Sequence, residues 1–144
     1  MPTLALVLNG RPTSVDHDEG MSLLDVLREP CGLHSPKDGC SQGMCGCCTV
    51  LLDGRPTLAC QLRPGQVAGR EIVTLEGLTE RMRQLLADAF LREGAVQCGF
   101  CTPGIAVRAS HLIGRGLTAR RERIERGLAG HLCRCTGYHR IVDA

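Results

Sequence analysis

The sequence of 144 residues is poor in aromatic side chains, with one Tyr, two Phe and no Trp. A protein that binds nucleic acid by stacking bases needs more rings than this, so we exclude that class. The net charge of +2 is too small to indicate a polyanionic partner. No apolar run approaches the roughly 20 residues that span a membrane, so the sequence predicts no transmembrane segment.

The first ten residues lack the basic segment and the small-residue cleavage site of a secretory signal, so we expect a cytoplasmic protein. This expectation matters because the chain contains ten cysteines. In a reducing compartment, many cysteines indicate metal ligation more often than disulfides. They form two groups, Cys31, Cys40, Cys45, Cys47, Cys48 and Cys60 in the first half and Cys98, Cys101, Cys133 and Cys135 in the second.

The first half of the chain has the patterns of strands and hairpins. Leucines at positions 4, 6 and 8 predict a strand, and Asn9-Gly10 predicts a two-residue turn into a second strand. Asp53-Gly54 predicts another hairpin, and residues 71–75 a further short strand. Ser22 predicts the N-cap of a short apolar helix. Together these signals predict a small sheet wrapped around one helix.

The second half of the chain has the spacing of helices. Apolar residues over positions 78–94 follow a helical repeat, and Thr102-Pro103 predicts the cap and first residue of a second helix. A third helix is expected to carry Leu128 and Leu132, and a fourth to follow Tyr138. The change of repeat predicts a domain boundary where the strands end and the helices begin.

The first cysteine group has the spacing of a plant-type 2Fe–2S ferredoxin. Cys40, Cys45, Cys48 and Cys60 follow the C-x4-C-x2-C…C arrangement, with several glycines among them. Such a loop turns three thiolates inward around a cluster, and glycines allow the close backbone approach that this requires. A set of buried or zinc-binding cysteines is the alternative. The complete ligand spacing favours the iron–sulfur cluster.

The second cysteine group is less specific by itself. Cys98 and Cys101 precede one predicted helix, and Cys133 and Cys135 follow another. Four thiolates can hold a structural zinc ion, and Cys98 with Cys101 can form a thiol–disulfide switch. The positive N-terminus of the helix that starts near Pro103 favours thiolates and a negatively charged cluster. This indicates metal ligation without identifying the metal.

Both cysteine groups lie in longer segments that form a recognisable pattern. These segments are Lys37-Asp-Gly-Cys40, Gly43-x-Cys45-Gly-x-Cys48-Thr-Val, Gln97-Cys-Gly-Phe-Cys-Thr-Pro-Gly104 and Leu132-Cys-Arg-Cys-Thr-Gly-Tyr138. With them, the chain resembles the small iron–sulfur subunit of the xanthine dehydrogenase/aldehyde oxidase family, the molybdenum hydroxylases. The resemblance covers nearly the whole chain, and the two cysteine pairs at this separation make it highly specific.

The resemblance implies an α+β chain of two domains, each with one 2Fe–2S cluster. The first is a β-grasp ferredoxin-like domain over residues 1–76, and the second an all-α four-helix bundle over residues 77–144. The implied partners are a large chain with a molybdopterin-type molybdenum cofactor and a medium chain with FAD, in a hetero-oligomer that is a dimer of heterotrimers. Electrons are expected to pass from molybdenum to the helical-domain cluster, then to the ferredoxin-domain cluster and then to FAD.

The resemblance also assigns roles to individual residues. The ligands of the flavin-side cluster are expected to be Cys40, Cys45, Cys48 and Cys60, and those of the molybdenum-side cluster Cys98, Cys101, Cys133 and Cys135. Gln97 and Cys135 occupy the positions that contact the pterin. No residue is expected to act as a catalytic acid, base or nucleophile, because substrate chemistry belongs to a partner chain.

Two cysteines and five histidines are left outside these roles. The spacing favours Cys48 over Cys47 as the ligand, so Cys47 is interpreted as a small buried side chain. Cys31 is interpreted as a core or surface thiol. The histidines show no spacing that makes a metal site, so they are interpreted as surface or packing residues. Two other functions stay open, a free-standing 2Fe–2S electron carrier and a zinc-stabilised binding module.

Overall fold

The computed structural model describes residues 1–144, the whole chain, as one five-stranded sheet and five α-helices. The strands are β1 (Thr3–Leu8), β2 (Arg11–Asp16), β3 (Thr49–Leu52), β4 (Arg55–Leu58) and β5 (Glu71–Val73). The helices are α1 (Leu23–Arg28), α2 (Glu80–Glu93), α3 (Thr102–Gly114), α4 (Arg121–Leu128) and α5 (His139–Asp143). None of these helices has both the length and the apolar character needed to cross a bilayer.

Two hairpins form where the sequence predicts them. Asn9 and Gly10 both have positive φ angles, of 51° and 78°, and Asp53 and Gly54 have φ angles of 48° and 77°. Two consecutive residues with positive φ make the type I′ turn, whose twist matches that of the flanking strands. Strands β1 and β2, and strands β3 and β4, therefore pair antiparallel across these turns.

The sheet is completed by β5, which lies between the two hairpins in the order β2-β1-β5-β3-β4. It pairs parallel with β1 and antiparallel with β3. Helix α1 packs on this sheet, and its four apolar side chains are almost fully buried. Burial of each such side chain contributes about 2 kcal/mol. Ser22 caps α1 in a capping box with Asp25, as the sequence predicts.

The second half of the chain contains helices α2 to α5. Helix α2 is capped by Thr79, whose hydroxyl accepts from the Met82 N–H, and it ends at Gly94 with φ of 63°. Helix α3 begins one residue earlier than predicted. Cys101 occupies its N-cap position and no side chain caps it, so Thr102 is the first helical residue and not the cap.

Helix α4 is shorter than the sequence pattern indicates. It ends at Leu128, so Leu132 is not part of it, and the Leu132 side chain is 54% exposed. Gly130 follows the helix end, and glycine is a poor helix former. The backbone N–H of Leu132 instead donates to the carbonyl of Cys45 at 2.8 Å. A contact with the first half of the chain thus replaces another helical turn.

Two hydrophobic cores account for the packing. The first lies between α1 and the sheet and includes the leucines of β1. The second lies among helices α2 to α5 but also includes Cys45 and Cys47, from the loop before β3. This loop therefore packs against helices that begin at residue 80 or later in the chain.

A polar network holds the connection between the two halves, which is the segment between β5 and α2. The Glu76 carboxylate accepts hydrogen bonds from the N–H and hydroxyl of Ser35, at 3.2 and 2.5 Å, and from the Thr74 hydroxyl at 2.5 Å. The Asn9 side chain both accepts from the Thr74 N–H and donates to its hydroxyl. The network thereby ties the β1–β2 turn, the connection and the segment before Cys40 together.

Replacement of this carboxylate is expected to destabilise the fold. We predict that Glu76→Gln lowers the free energy of unfolding by about 1 kcal/mol at pH 7, because the charged acceptor of three hydrogen bonds is lost. Urea denaturation followed by circular dichroism measures this change. Glu19→Gln is the matched control, since Glu19 is exposed and makes no hydrogen bond.

The same variant has an expected pH dependence. Burial raises the pKa of Glu76, but the hydrogen bonds from Ser35 and Thr74 lower it by more, so the pKa lies below its ordinary value. The stability that the carboxylate contributes is therefore present above the ordinary pKa and is lost as the pH falls through the lowered one. The difference between variant and wild type should shrink on acidification, and a constant or growing difference would contradict this account.

Candidate metal centres

The loop from Gly39 to Cys48 directs backbone N–H groups at the Cys40 thiol. The N–H groups of Gln42, Met44 and Cys45 lie 3.4, 3.3 and 3.4 Å from Cys40 Sγ. These three donors lower the pKa of Cys40 to about 7. Ser41 and Gly43 have positive φ angles, which turn successive N–H groups towards the sulfur. The loop is thus built to stabilise a thiolate.

The Cys45 thiol lies on the inner side of the same loop. It accepts from the Cys47 N–H at 3.5 Å and lies close enough to Cys40 for the two thiols to interact. Gly39 packs directly on it, and a Cβ on Gly39 would lie 2.9 Å from Cys45 Sγ. Glycine is required at this position because any side chain would displace the thiol.

Cys48 and Cys60 are the other two predicted ligands of the first group. Cys60 lies in a short 3-10 turn (Ala59–Gln61) just after β4. Its thiol is close enough to that of Cys48 for the two to interact. Burial raises the pKa of Cys48 to about 12. The Gln61 side chain donates to Cys60 Sγ at 3.4 Å.

The four thiols of the second cysteine group also lie near one another. Cys98 is close enough to Cys135 for the two thiols to interact. Cys101, at the N-cap of α3, is likewise close to Cys133. Burial raises the pKa of Cys101 to about 12, so burial outweighs the helix N-terminus, which by itself was expected to favour the thiolate.

Polar groups after α4 support the Cys133 thiol. The Thr136 hydroxyl donates to Cys133 Sγ at 3.1 Å, and the Tyr138 hydroxyl accepts from the Cys133 N–H at 2.9 Å. Burial raises the pKa of Cys133, but the hydrogen bonds from Thr136 and Cys135 lower it by more. Tyr138 has φ of 72°, a strained value for a large side chain, which its hydrogen bonds help to maintain.

The donor set suits a two-iron cluster at each site. All ten cysteines are free thiols. The predicted ligands lie near one another within each group, Cys48 near Cys60 and Cys45, and Cys101 near Cys133 and Cys98. A 2Fe–2S cluster takes two thiolates on each of its irons, so four thiols in each group have the chemistry that the cluster requires.

Cys47 and Cys31 are the two cysteines that are not predicted ligands. Cys47 is 5% exposed, and burial raises the pKa of its thiol to about 12. Its sulfur faces Cys45 and is close enough to Cys101 for the two thiols to interact electrostatically. Cys47 therefore lies between the two sites, which matches its interpretation as a small buried side chain. Cys31 is half-buried at the edge of the first core.

The second site reaches the surface of the chain. Cys98 and the neighbouring Gln97 are exposed, and Gln97 makes no hydrogen bond within the chain. Val96 and Phe100, close to them in the sequence, are 40% and 44% exposed, and Leu132, which precedes Cys133, is 54% exposed. An exposed apolar patch of this kind is typical of a protein–protein contact.

Close backbone contacts bring the two sites together. A Cβ on Gly104, in the first turn of α3, would lie 2.4 Å from the Gly46 carbonyl oxygen and 3.1 Å from Cys47 Cα. The first turn of α3, which follows Cys101 directly, therefore rests on the loop that carries Cys45 and Cys48. Only a glycine at position 104 allows this approach.

One buried residue near the sites was not distinguished by the sequence. His131 is 7% exposed, and its Nε2 lies 3.1 Å from the Thr49 hydroxyl. Burial, with the charge of Arg108, lowers the pKa of His131 to about 4. No spacing rule signals this contact, because the two residues are 82 positions apart. The other four histidines are at least partly exposed.

Two families of known domains match the chain. Residues 11–90 match a family described as "2Fe-2S iron-sulfur cluster binding domain", and residues 74–144 match one described as "[2Fe-2S] binding domain". The two matches overlap at the connection and together cover residues 11–144.

Characterised relatives extend over nearly the whole chain. The nicotinate dehydrogenase small FeS subunit of Eubacterium barkeri is 45% identical over 143 residues, which are 99% of this chain and 91% of that protein. The xanthine dehydrogenase iron-sulfur-binding subunit of Escherichia coli O157:H7 is 42% identical over 98% of this chain and 90% of that protein. A chain in the crystal structure of quinoline 2-oxidoreductase from Pseudomonas putida 86 superposes with a TM-score of 0.93, at 39% identity, over 99% of this chain and 88% of that one.

The close contact at Gly104 can be tested by adding a single methyl group at that position. We predict that Gly104→Ala destabilises the protein by roughly 1–3 kcal/mol, because the added Cβ meets backbone atoms that cannot move independently. Urea denaturation measures the effect, and the visible absorption of the protein reports on both sites. Gly114→Ala, in the last turn of the same helix, is the matched control because nothing lies within 4 Å of its Cβ position. Equal stabilities of the two variants would show that the contact is not tight.

Proposed function

The chain belongs to the iron–sulfur subunits of the xanthine dehydrogenase/aldehyde oxidase family, the molybdenum hydroxylases, and we propose on this premise which residues hold its clusters and which chains it serves. It is the electron-transfer subunit of an oxidoreductase and carries two 2Fe–2S clusters. A free-standing carrier and a zinc-stabilised module are not favoured, since its relatives are subunits of dehydrogenases.

We propose that each cluster is held by one of the two cysteine groups. The first set is Cys40, Cys45, Cys48 and Cys60, and the second is Cys98, Cys101, Cys133 and Cys135. The observation that carries this assignment is the set of donors directed at thiols of each group, three backbone N–H groups at Cys40, the Gln61 amide at Cys60 and the Thr136 hydroxyl at Cys133. Cys47 is excluded from the first set because the ligand spacing selects Cys48, and because Cys48 is buried in the first core, against which Cys60 packs, whereas Cys47 is buried in the second.

The clusters, when bound, supply reversible one-electron chemistry. The chain contributes by stabilising the thiolates and by keeping the ligand loops in place. At Cys40 the donors are three backbone N–H groups, and at Cys60 the donor is the Gln61 amide. Hydrogen bonds to ligand sulfurs raise the reduction potential of an iron–sulfur centre, so these donors make the first site easier to reduce.

We further propose the partners and the direction of transfer. The second site lies towards a large molybdopterin-binding chain, with Gln97 and Cys135 against the pterin, and the first site lies towards a medium FAD-binding chain. Support comes from the exposed Gln97 amide, which offers two donors and an acceptor, and from the apolar patch around it. The complex is then a dimer of heterotrimers in the cytoplasm, with substrate chemistry on the large chain.

We also propose that the two sites correspond to two domains, residues 1–76 with the β-grasp fold and residues 77–144 with the four-helix fold. Each half has its own hydrophobic core, which supports this division. Because Cys45 and Cys47 of the first half belong to the second core, we expect the domains to be joined by a packed interface and not by a flexible linker.

The cluster content is the direct test of the function. We expect about four iron and four sulfide per chain, with visible absorption bands and two EPR signals after reduction. A colourless protein that contains zinc would contradict the proposal. Co-purification of two larger chains with molybdenum and FAD tests the partners separately.

The ligand assignment is tested by paired substitutions at neighbouring cysteines. We predict that Cys48→Ala abolishes the ferredoxin-type EPR signal, whereas Cys47→Ala leaves about four iron per chain. Cys135→Ser should damage the other signal and leave the ferredoxin-type signal intact. If either substitution removed both signals from a folded protein, the two sites would not be independent.

A further inference from the structure

A buried histidine joins the two halves of the chain next to both sites. His131 lies between the end of α4 and Cys133, and its side chain is inserted against β3 of the first half. Its Nε2 is 3.1 Å from the hydroxyl oxygen of Thr49, which is itself only 4% exposed. This is a side-chain hydrogen bond between the two halves that is shielded from water.

The direction of this hydrogen bond follows from the partners of Thr49. A hydroxyl has one hydrogen to donate, and Thr49 donates it to the Gly46 carbonyl at 2.7 Å. The Thr49 oxygen can therefore only accept from His131, so the imidazole carries its hydrogen on Nε2. Nδ1 of His131 is buried and has no partner in the chain. The histidine is thus held by one donor bond and by packing.

The bond connects the two segments that carry the proposed ligands. Gly46 lies between Cys45 and Cys48, and a Cβ on it would lie 2.6 Å from the Gly130 carbonyl oxygen and 2.8 Å from His131 Cδ2. Leu132, the residue before Cys133, donates its N–H to the Cys45 carbonyl at 2.8 Å. The short segment 130–132 is therefore attached to the first ligand loop at consecutive residues.

We propose that His131 is a positioning residue that fixes the separation of the two cluster sites through its hydrogen bond to Thr49. The inference rests on the ligand assignment proposed above. Its functional consequence is kinetic, because the rate of electron transfer between two centres falls steeply as they move apart. A residue that only filled space at position 131 would be replaced by leucine without effect on that separation.

The test uses two substitutions that remove the hydrogen bond and two that retain it. His131→Leu and Thr49→Val remove the donor and the acceptor with little change of volume. His131→Gln keeps an N–H donor at a similar reach, and Thr49→Ser keeps the hydroxyl. Each variant is purified with its clusters and with the chains that accompany it, and iron content is measured first.

The readout is the magnetic interaction between the two reduced clusters, seen as splitting of their EPR lines. This splitting depends on the separation of the clusters and not on the catalytic activity. We expect His131→Leu and Thr49→Val to retain about four iron per chain and to show a reduced or heterogeneous splitting. His131→Gln and Thr49→Ser should keep the wild-type splitting. The double variant should show no larger change than Thr49→Val alone, because Thr49→Val already removes the bond to His131 together with the bond from Thr49 to the Gly46 carbonyl.

Three results would overturn the inference. Wild-type splitting in His131→Leu would show that the residue does not set the separation. A change in His131→Leu with none in Thr49→Val would show that packing is responsible and not the hydrogen bond. If His131→Leu yields no folded protein, the Thr49→Val and Thr49→Ser pair decides, and equal splitting in that pair counts against the inference. Wild-type protein without iron would instead overturn the proposed function, and the inference with it.

Discussion

The structure depends on one close contact, in which the backbone of the ligand loop around Gly46 meets the backbone of the helical half. Two glycines make the approach possible, since a Cβ on Gly46 or on Gly104 would meet a carbonyl oxygen of the opposite half at less than 3 Å. Because the contact is between backbones, it leaves little freedom for the two halves to move relative to each other. The residues that carry the thiols lie on either side of it, so the contact keeps the two metal sites near each other.

The environments of the thiols divide by burial. Cys40 is near the surface and its pKa is lowered by backbone donors, whereas burial raises the pKa values of Cys48 and Cys101. A buried thiol with a raised pKa gives up its proton only when a cation takes the proton's place. Metal binding to such ligands therefore releases protons and contributes to folding stability. The exposed Cys40 loop is the part of the first site that is prepared for a thiolate before a cluster is bound.

The local elements of the fold were largely predictable. Two consecutive residues that tolerate positive φ, such as Asn9 and Gly10, determine their turn without help from the rest of the chain. Ser22 caps α1 by the same kind of local bond. One error occurred where a distant contact competes with a local preference, since helix α4 ends early and Leu132 bonds to Cys45 instead. The other was a local shift of one position, since Cys101 takes the cap position of α3 and Thr102 is its first helical residue.

The sequence by itself determined the chemistry of this protein. The spacing of eight cysteines, with glycines among them and Gln97 beside them, was sufficient to identify the family and the kind of cofactor, because ligand type and spacing are properties of short segments. Only the tertiary structure shows which thiols lie near one another and that Cys47 is buried between the two sites. It alone also shows that His131 bonds to Thr49. These features join residues up to 82 positions apart. Such contacts depend on how two folded halves pack together, and no periodicity or local motif records that.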